Sequence, residues 1–326
     1  MRNQEKIFVI GHKNPDTDSI CSAIAYCDIK NRTSQKQRFV PKRAGQINEE
    51  TEYVLSRFGV QPPGYLSNIG TQVKDMDIRM SPDADKSMSL KAAWDIMQEN
   101  SIVSLPIRDK EGALEGLITI GDIAKTYMDT TDSYLLCRAR TQYQKIAETI
   151  HGEIIEGNPH GYFIKGRVMV GTANPDKMKE YIEEDDMIIM GDREEDHLQA
   201  IAQNVSCIIV GLGIQVTENV VKLAHEKDII IIASPYDTFT IARLINQSIP
   251  VRYIMKTDNL VTFNTEDFTD DIQDVMIKHR HRAFPVINKK GKCIGTISRR
   301  NFLGMHKKQV VLVDHNEVDQ AVDNIE

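Results

Sequence analysis

A chain of 326 residues is long enough for about two domains, and 41% hydrophobic with 27% charged residues is the composition of an ordinary globular protein rather than a disordered or fibrous one. Forty Lys and Arg against 47 Asp and Glu give a net charge of -7, leaving no basic footprint for gripping a phosphate backbone, so nucleic acid is not an expected partner. The five cysteines (Cys21, Cys27, Cys137, Cys207, Cys293) are odd in number, scattered and without CxxC spacing, which points to a reduced, cytoplasmic setting. No signal-peptide pattern follows Met1, and the longest fully apolar run, 229–233, is far shorter than the ~20 residues a bilayer requires, so no membrane partner is expected.

Residues 7–10 form a short apolar run ending at Gly11, and after a polar loop the small-residue stretch 19–26 has helical character. This predicts strand, loop, helix. The segment around Trp94 to Asp122 then returns without gaps 179 positions later: Asp95, Met97, Pro106, Gly112, Gly116 and Ile118 reappear as Asp274, Met276, Pro285, Gly291, Gly295 and Ile297. Each copy reads as amphipathic helix, strand, Gly turn, strand and helix. Between the copies, apolar runs at 187–190, 207–210 and 229–233 alternate with helical patterns, as in a separate α/β domain. A last buried-type strand, 310–313, leads into Asp314, His315 and Asn316, and the chain stops at Glu326 without a helix stop signal.

Chemistry concentrates directly after the first strand, where His12, Asn14, Asp16, Asp18 and Ser19 stand within eight positions. In an open parallel sheet this edge is where ligands bind. Pro15 holds Asn14 away from helical angles, so the loop can project His12, Asp16 and Asp18 toward one point. One imidazole and two carboxylates suit Mn, Co or Mg better than a thiolate-preferring metal. A plain helix cap is the competing reading of Asp16 or Asp18, and a plain turn that of Asp314. Asp314 would join the cluster if its strand belongs to the first sheet.

The run Gly11-His12-Lys13-Asn14-Pro15-Asp16-Thr17-Asp18-Ser19, together with Asp314-His315-Asn316-Glu317, resembles the DHH phosphoesterase superfamily, and within it the family II inorganic pyrophosphatases that carry regulatory inserts. The repeats resemble CBS domains and the middle piece a DRTGG domain, although no literal Asp-Arg-Thr-Gly-Gly string occurs. The implied fold is α/β: an incomplete parallel-sheet DHH-type domain interrupted by a CBS pair and a separate α/β DRTGG-like domain. The segments would be 1–70 (first catalytic), 71–130 (CBS), 131–250 (DRTGG-like), 251–306 (CBS) and 307–326 (second catalytic).

The resemblance implies that His12 and Asp16 bind one Mn²⁺ or Co²⁺, with Mg²⁺ also possible, that Asp18 binds a second, and that Asp314 bridges them. Pyrophosphate would lie between two metals that activate water, whose pKa metal coordination brings down to about 7. Full-length members continue to an Asp-His-His motif and a basic C-terminal lobe, neither of which is in this sequence. The expectation is therefore weak metal binding and poor hydrolysis by this chain alone.

The first repeat carries Gly116, Thr119 and Asp122 in G-x-x-T-x-x-D spacing, and the second carries Gly295, Ser298 and Asn301 as G-x-x-S-x-x-N. A hydroxyl three residues before a carboxylate or amide at a strand-to-helix junction can hold a ribose and a phosphate, although the same spacing is an ordinary cap. Inside a CBS-like pair it implies adenine nucleotides (AMP, ADP, ATP or diadenosine polyphosphates), with Arg280, His281 and Arg282 adding cationic charge for phosphate. CBS pairs imply a homodimer. Gly211-Leu212-Gly213 reads as a plain βα turn, 234–238 as a capped helix start and Trp94 as a packing residue. The competing functional readings are a non-catalytic nucleotide-sensing module and a DHH-type phosphodiesterase.

Overall fold

The computed structural model describes residues 5–34, 36–66, 70–128, 132–172, 175–279, 281–303 and 308–313. They fall into two compact units, one made of Met1–Ile78, Phe263–His281 and Ser298–Glu326, the other of Arg79–Thr262 and Arg282–Ile297. Among the described residues no helix is long and apolar enough to cross a membrane.

In the first unit the alternating Ile7 and Val9 of strand Glu5–Ile10 point to one face, where they meet Ala23 and Cys27 of helix Thr17–Thr33 and Phe39 of strand Gln37–Arg43. Ile20, Ala23 and Cys27 recur at helical spacing, which gives the helix its buried stripe. Tyr26 closes the cluster edge-on against Phe39, with ring centroids 6.2 Å apart. The sheet is parallel throughout and runs in the order Gln309–Leu312, Glu5–Ile10, Gln37–Arg43, Gly64–Tyr65. The chain leaves Glu5–Ile10 toward one side, into Gln37–Arg43, and returns some 270 residues later on the other side. Glu5–Ile10 and its C-terminal neighbour therefore flank a topological switch point, the place where open α/β sheets bind ligands.

The second unit contains a five-stranded sheet in the order Val168–Val170, Met187–Met190, Cys207–Val210, Ile230–Ala233 and, antiparallel at the edge, Glu153–Glu156. Its three central strands are apolar at nearly every position because both faces are covered. Ile188, Met190, Ile208, Val210 and Ile231 pack on one side with Ala200, Val220 and Ala224 of the crossover helices. Met187, Ile189, Cys207, Ile209, Ile230 and Ile232 pack on the other with Leu90, Ala93, Met97, Leu105, Ile107 and Ile118 of the first repeat. The first repeat and the inserted sheet thus share one core. The four parallel strands advance in one direction, so this sheet has no switch-point crevice among its described strands.

Each repeat turns its hairpin on a left-handed glycine, Gly112 at φ 89° and Gly291 at φ 77°. Arg108 ties the two repeats' strands together within this unit: its guanidinium donates to the carbonyls of Ser81, Pro82 and Cys293.

Candidate functional site

The loop 11–16 leaves the C-terminal end of Glu5–Ile10 at the switch point. Its course is fixed by two close approaches. A Cβ on Gly11 would overlap Ser19 Oγ and stand 2.9 Å from Ser19 Cβ. A Cβ on Gly45 would overlap the Lys13 carbonyl oxygen and stand 2.7 Å from Pro15 Cδ. The backbone at Gly11 thus lies directly against the Ser19 side chain and that at Gly45 against the Lys13 carbonyl, approaches that leave no room for a side chain at either position. Arg43 holds the second strand's exit by donating to the carbonyls of Pro63 and Gly45.

Asp16 is the N-cap of helix Thr17–Thr33, with Oδ1 accepting the Ser19 N–H at 2.8 Å. The same oxygen lies 3.4 Å from His12 Nε2. The capping and chemical readings of Asp16 are thus compatible, and the cap aims the carboxylate at the imidazole. His12 is buried, Asp16 is half-buried, and Asp18 is exposed in the first turn of the helix, 3.4 Å from Ser22 Oγ. Among the described residues no three His, Cys, Asp or Glu side chains converge at metal-holding distance; the structure brings together His12 and Asp16. Imidazole and carboxylate, one nitrogen and oxygens without thiolate, fit Mn, Co or Mg. Ser19 Oγ is buried beneath this loop without a hydrogen-bond partner.

The other strand at the switch point is Gln309–Leu312, paired in parallel with Glu5–Ile10 so that Leu312 stands opposite Ile10. Val313 N–H then donates to Ile10 C=O at 2.9 Å. The two strand ends leave the sheet side by side, one entering Gly11-His12 and the other leading toward position 314. Asp314 itself, with His315, lies outside the described residues.

At the first repeat's turn, Thr119 N–H and Oγ–H both donate to Asp122 Oδ2, at 2.9 and 2.6 Å, and Thr119 Oγ1 accepts from Asp122 N–H at 3.2 Å. At the second, Ser298 N–H and Oγ–H donate to Asn301 Oδ1 at 2.7 and 2.8 Å. Both pairs therefore cap the helix that follows them, and their second carboxyl or amide atoms differ. Asp122 Oδ1 lies 3.4 Å from Lys256 Nζ, whereas Asn301 Nδ2 donates to the Asp77 carbonyl at 2.6 Å. Arg282 and His281 are exposed and Arg280 lies outside the described residues.

Lys256, Gly45 and Arg299 escape reading by motif. Arg299 clasps the end of helix Thr269–Lys278 by donating to the carbonyls of Met276 and His279, which anchors the Ser298 turn. For Lys256 a signal was available: by the 179-residue repeat offset it corresponds to Asp77, so each turn is met by the residue that precedes the other repeat. Trp94, expected to pack, is 37% exposed and lines an apolar cleft of about 290 Å³ with Tyr127, Ile123 and Leu90.

Residues 145–248 match the DRTGG domain family, and residues 74–129 and 251–306 match the CBS domain family. A cobalt-dependent inorganic pyrophosphatase of Clostridium perfringens is 38% identical over 99% of this chain and 59% of its own length. A probable manganese-dependent inorganic pyrophosphatase of Thermotoga maritima is 29% identical over 100% of the chain and again 59% of its own. The crystal structure of the CBS and DRTGG domains of the Clostridium perfringens pyrophosphatase regulatory region, in complex with its activator diadenosine tetraphosphate, superposes over 70% of this chain and all of that one, with 35% identity and a TM-score of 0.67. The chain belongs to the family of pyrophosphatase regulatory regions built of CBS and DRTGG domains. It spans about three fifths of the length of those pyrophosphatases. Within this family the two matched CBS stretches correspond to the two repeats and the DRTGG stretch to the five-stranded sheet with its helices.

Proposed function

We propose that this chain supplies the first metal-binding segment and the regulatory region of an adenine-nucleotide-controlled pyrophosphatase. The observation that carries the proposal is the parallel pairing of Gln309–Leu312 with Glu5–Ile10, which brings the lead into Asp314 beside the His12–Asp16 pair at a switch point. His12 and Asp16 would hold one Mn²⁺ or Co²⁺ ion, with Asp18 and Asp314 serving a second and bridging position. Such ions supply charge neutralisation at pyrophosphate and an activated water for in-line attack on phosphorus. The chain's own residues orient the donors: the Ser19 N–H fixes the Asp16 carboxylate, and Gly11 and Gly45 fix the loop that carries His12.

Thr119, Asp122, Ser298, Asn301 and Arg282 would bind the adenine nucleotide, with diadenosine tetraphosphate as an activator. Both CBS-like repeats and the inserted domain lie in sequence between the two strands of the metal crevice, so a nucleotide that prefers one arrangement of the regulatory region has a covalent route to the metal ligands. A shift of about 1 Å in a positioned ligand could cost roughly a hundredfold in rate. The protein would act in the cytoplasm as a homodimer, the exposed Trp94, Tyr127 and Met128 supplying apolar surface for self-association.

Cobalt titration of the 326-residue chain, followed by visible absorption, tests the metal half. Saturable binding that falls at least about tenfold in both His12→Gln and Asp16→Asn supports it. Equal binding by wild type and both variants would sink it.

A further inference from the structure

We propose that Lys256 is the phosphate-selecting residue of the first repeat's turn, so that this turn takes anionic nucleotides in preference to the uncharged nucleoside. The proposal rests on the nucleotide reading of that turn given above. Its geometry begins with Gly116. A Cβ there would stand 2.7 Å from Met255 Sδ and 3.0 Å from the Lys256 carbonyl oxygen, so the glycine lets segment 255–256 lie against the strand. Leu117 and Lys256 then exchange both backbone hydrogen bonds, each at 2.9 Å. The Lys256 backbone is fixed by this bridge while its side chain is 56% exposed.

The ammonium reaches Asp122 Oδ1 at 3.4 Å, whereas Asp122 Oδ2 is occupied by the Thr119 N–H and hydroxyl. One carboxylate oxygen therefore caps the helix and the other meets an exposed cation. A ribose diol can donate to a carboxylate oxygen, and a phosphate can take the ammonium from it with stronger, charge-assisted hydrogen bonds. The ion pair between a largely exposed lysine and Asp122 is weak enough to be exchanged in this way. A cation next to the diol acceptor distinguishes a nucleotide from a nucleoside.

The second turn is built differently. Asn301 spends Oδ1 on Ser298 and Nδ2 on the Asp77 carbonyl, and it carries no charge. The position matched to Lys256 by the repeat offset is Asp77, an acid. The carboxamide suits its partner, since a carboxylate at 301 would face the Asp77 carbonyl oxygen with no N–H to donate.

Isothermal titration of AMP and of adenosine into the full 326-residue chain tests the assignment in wild type, Lys256→Gln and Lys256→Arg. AMP affinity is expected to fall roughly tenfold in Lys256→Gln and to recover in Lys256→Arg, with adenosine affinity changed by less than about twofold throughout. Equal loss of AMP and adenosine would show that Lys256 merely supports the turn, and unchanged AMP affinity would show that it does not meet the phosphate; either overturns the proposal. If wild type binds neither compound, the nucleotide reading itself falls, and the proposal with it. Far-UV circular dichroism of each variant verifies that the exposed substitution leaves the fold intact.

Discussion

Replacing Gly11 by alanine probes whether the site loop is held by the close approach of its backbone to the Ser19 side chain. Gly11 is buried and its φ lies outside the left-handed region, so the backbone accepts an L-residue and the cost comes from space alone. The new methyl would overlap Ser19 Oγ and approach Ser19 Cβ to 2.9 Å and the Ser19 carbonyl oxygen to 3.2 Å. Overpacking of this kind costs about 1–3 kcal/mol, against a gain of roughly 0.4–1 kcal/mol from a stiffer unfolded chain, which leaves a net loss centred on about 1 kcal/mol.

The clash identifies its own suppressor. Ser19→Gly removes both offending side-chain atoms at a cost of about 0.5–1 kcal/mol for glycine in a helix. The double variant should therefore be more stable than the sum of the single effects, with a coupling of about 1 kcal/mol or more. Guanidinium unfolding followed by far-UV circular dichroism, together with amide exchange in helix Thr17–Thr33, measures the cycle. The sole tryptophan, Trp94, lies in the other unit, so its emission serves as an internal control. Wild-type stability of Gly11→Ala, or strict additivity with Ser19→Gly, would refute the close-approach reasoning.

Ser19→Ala alone should be neutral or slightly stabilising in the same unfolding assay, because the buried hydroxyl it removes has no partner. In the second unit Asp186 is 1% exposed and receives the Arg167 guanidinium at 3.0 Å, so Arg167→Ala should cost roughly 2–4 kcal/mol by denaturant titration, and a loss below about 0.5 kcal/mol would contradict the pairing. His225 Nδ1 lies 3.0 Å from Glu156 Oε1, and that hydrogen bond, with the carboxylate's charge, raises the imidazole pKa above the usual histidine value. A pKa raised by folding adds stability that is complete below the ordinary histidine value and lost as pH rises through the folded one. Proton NMR should show His225 titrating high in wild type and moving down in Glu156→Gln; coincident curves would exclude the pair. Burial pushes the Cys27 thiol up to about 11, so thiol reagents at pH 8 should label it slowly in the native chain and rapidly after denaturation.

Much of this molecule was legible because its signals are local. The apolar runs at 187–190 and 207–210 are strands with those bounds, since a strand covered on both faces needs apolar side chains at every position. Gly112 and Gly291 mark turns because left-handed backbone disfavours other residues. Asp16 could be read as a cap or as a ligand from spacing alone, and its single Oδ1 within reach of both Ser19 N–H and His12 shows why neither reading excluded the other. Lys256 carries no local motif in its Ile-Met-Lys string; only the repeat offset singles it out, and its place beside the first repeat's turn comes from a backbone bridge to Leu117, 139 positions away (256 − 117).

Chain order by itself determined which segments are strands, which are helices and where polar groups gather, because these follow from side-chain period, capping chemistry and glycine placement within a few residues. Only the tertiary structure decided that Gln309–Leu312 joins the opposite side of Glu5–Ile10 from Gln37–Arg43, and so that the strand order switches direction next to His12. Strand pairing is set by backbone hydrogen bonds that are alike for every residue type, so the partner is chosen by which apolar faces can be buried together, a property of the whole packed unit.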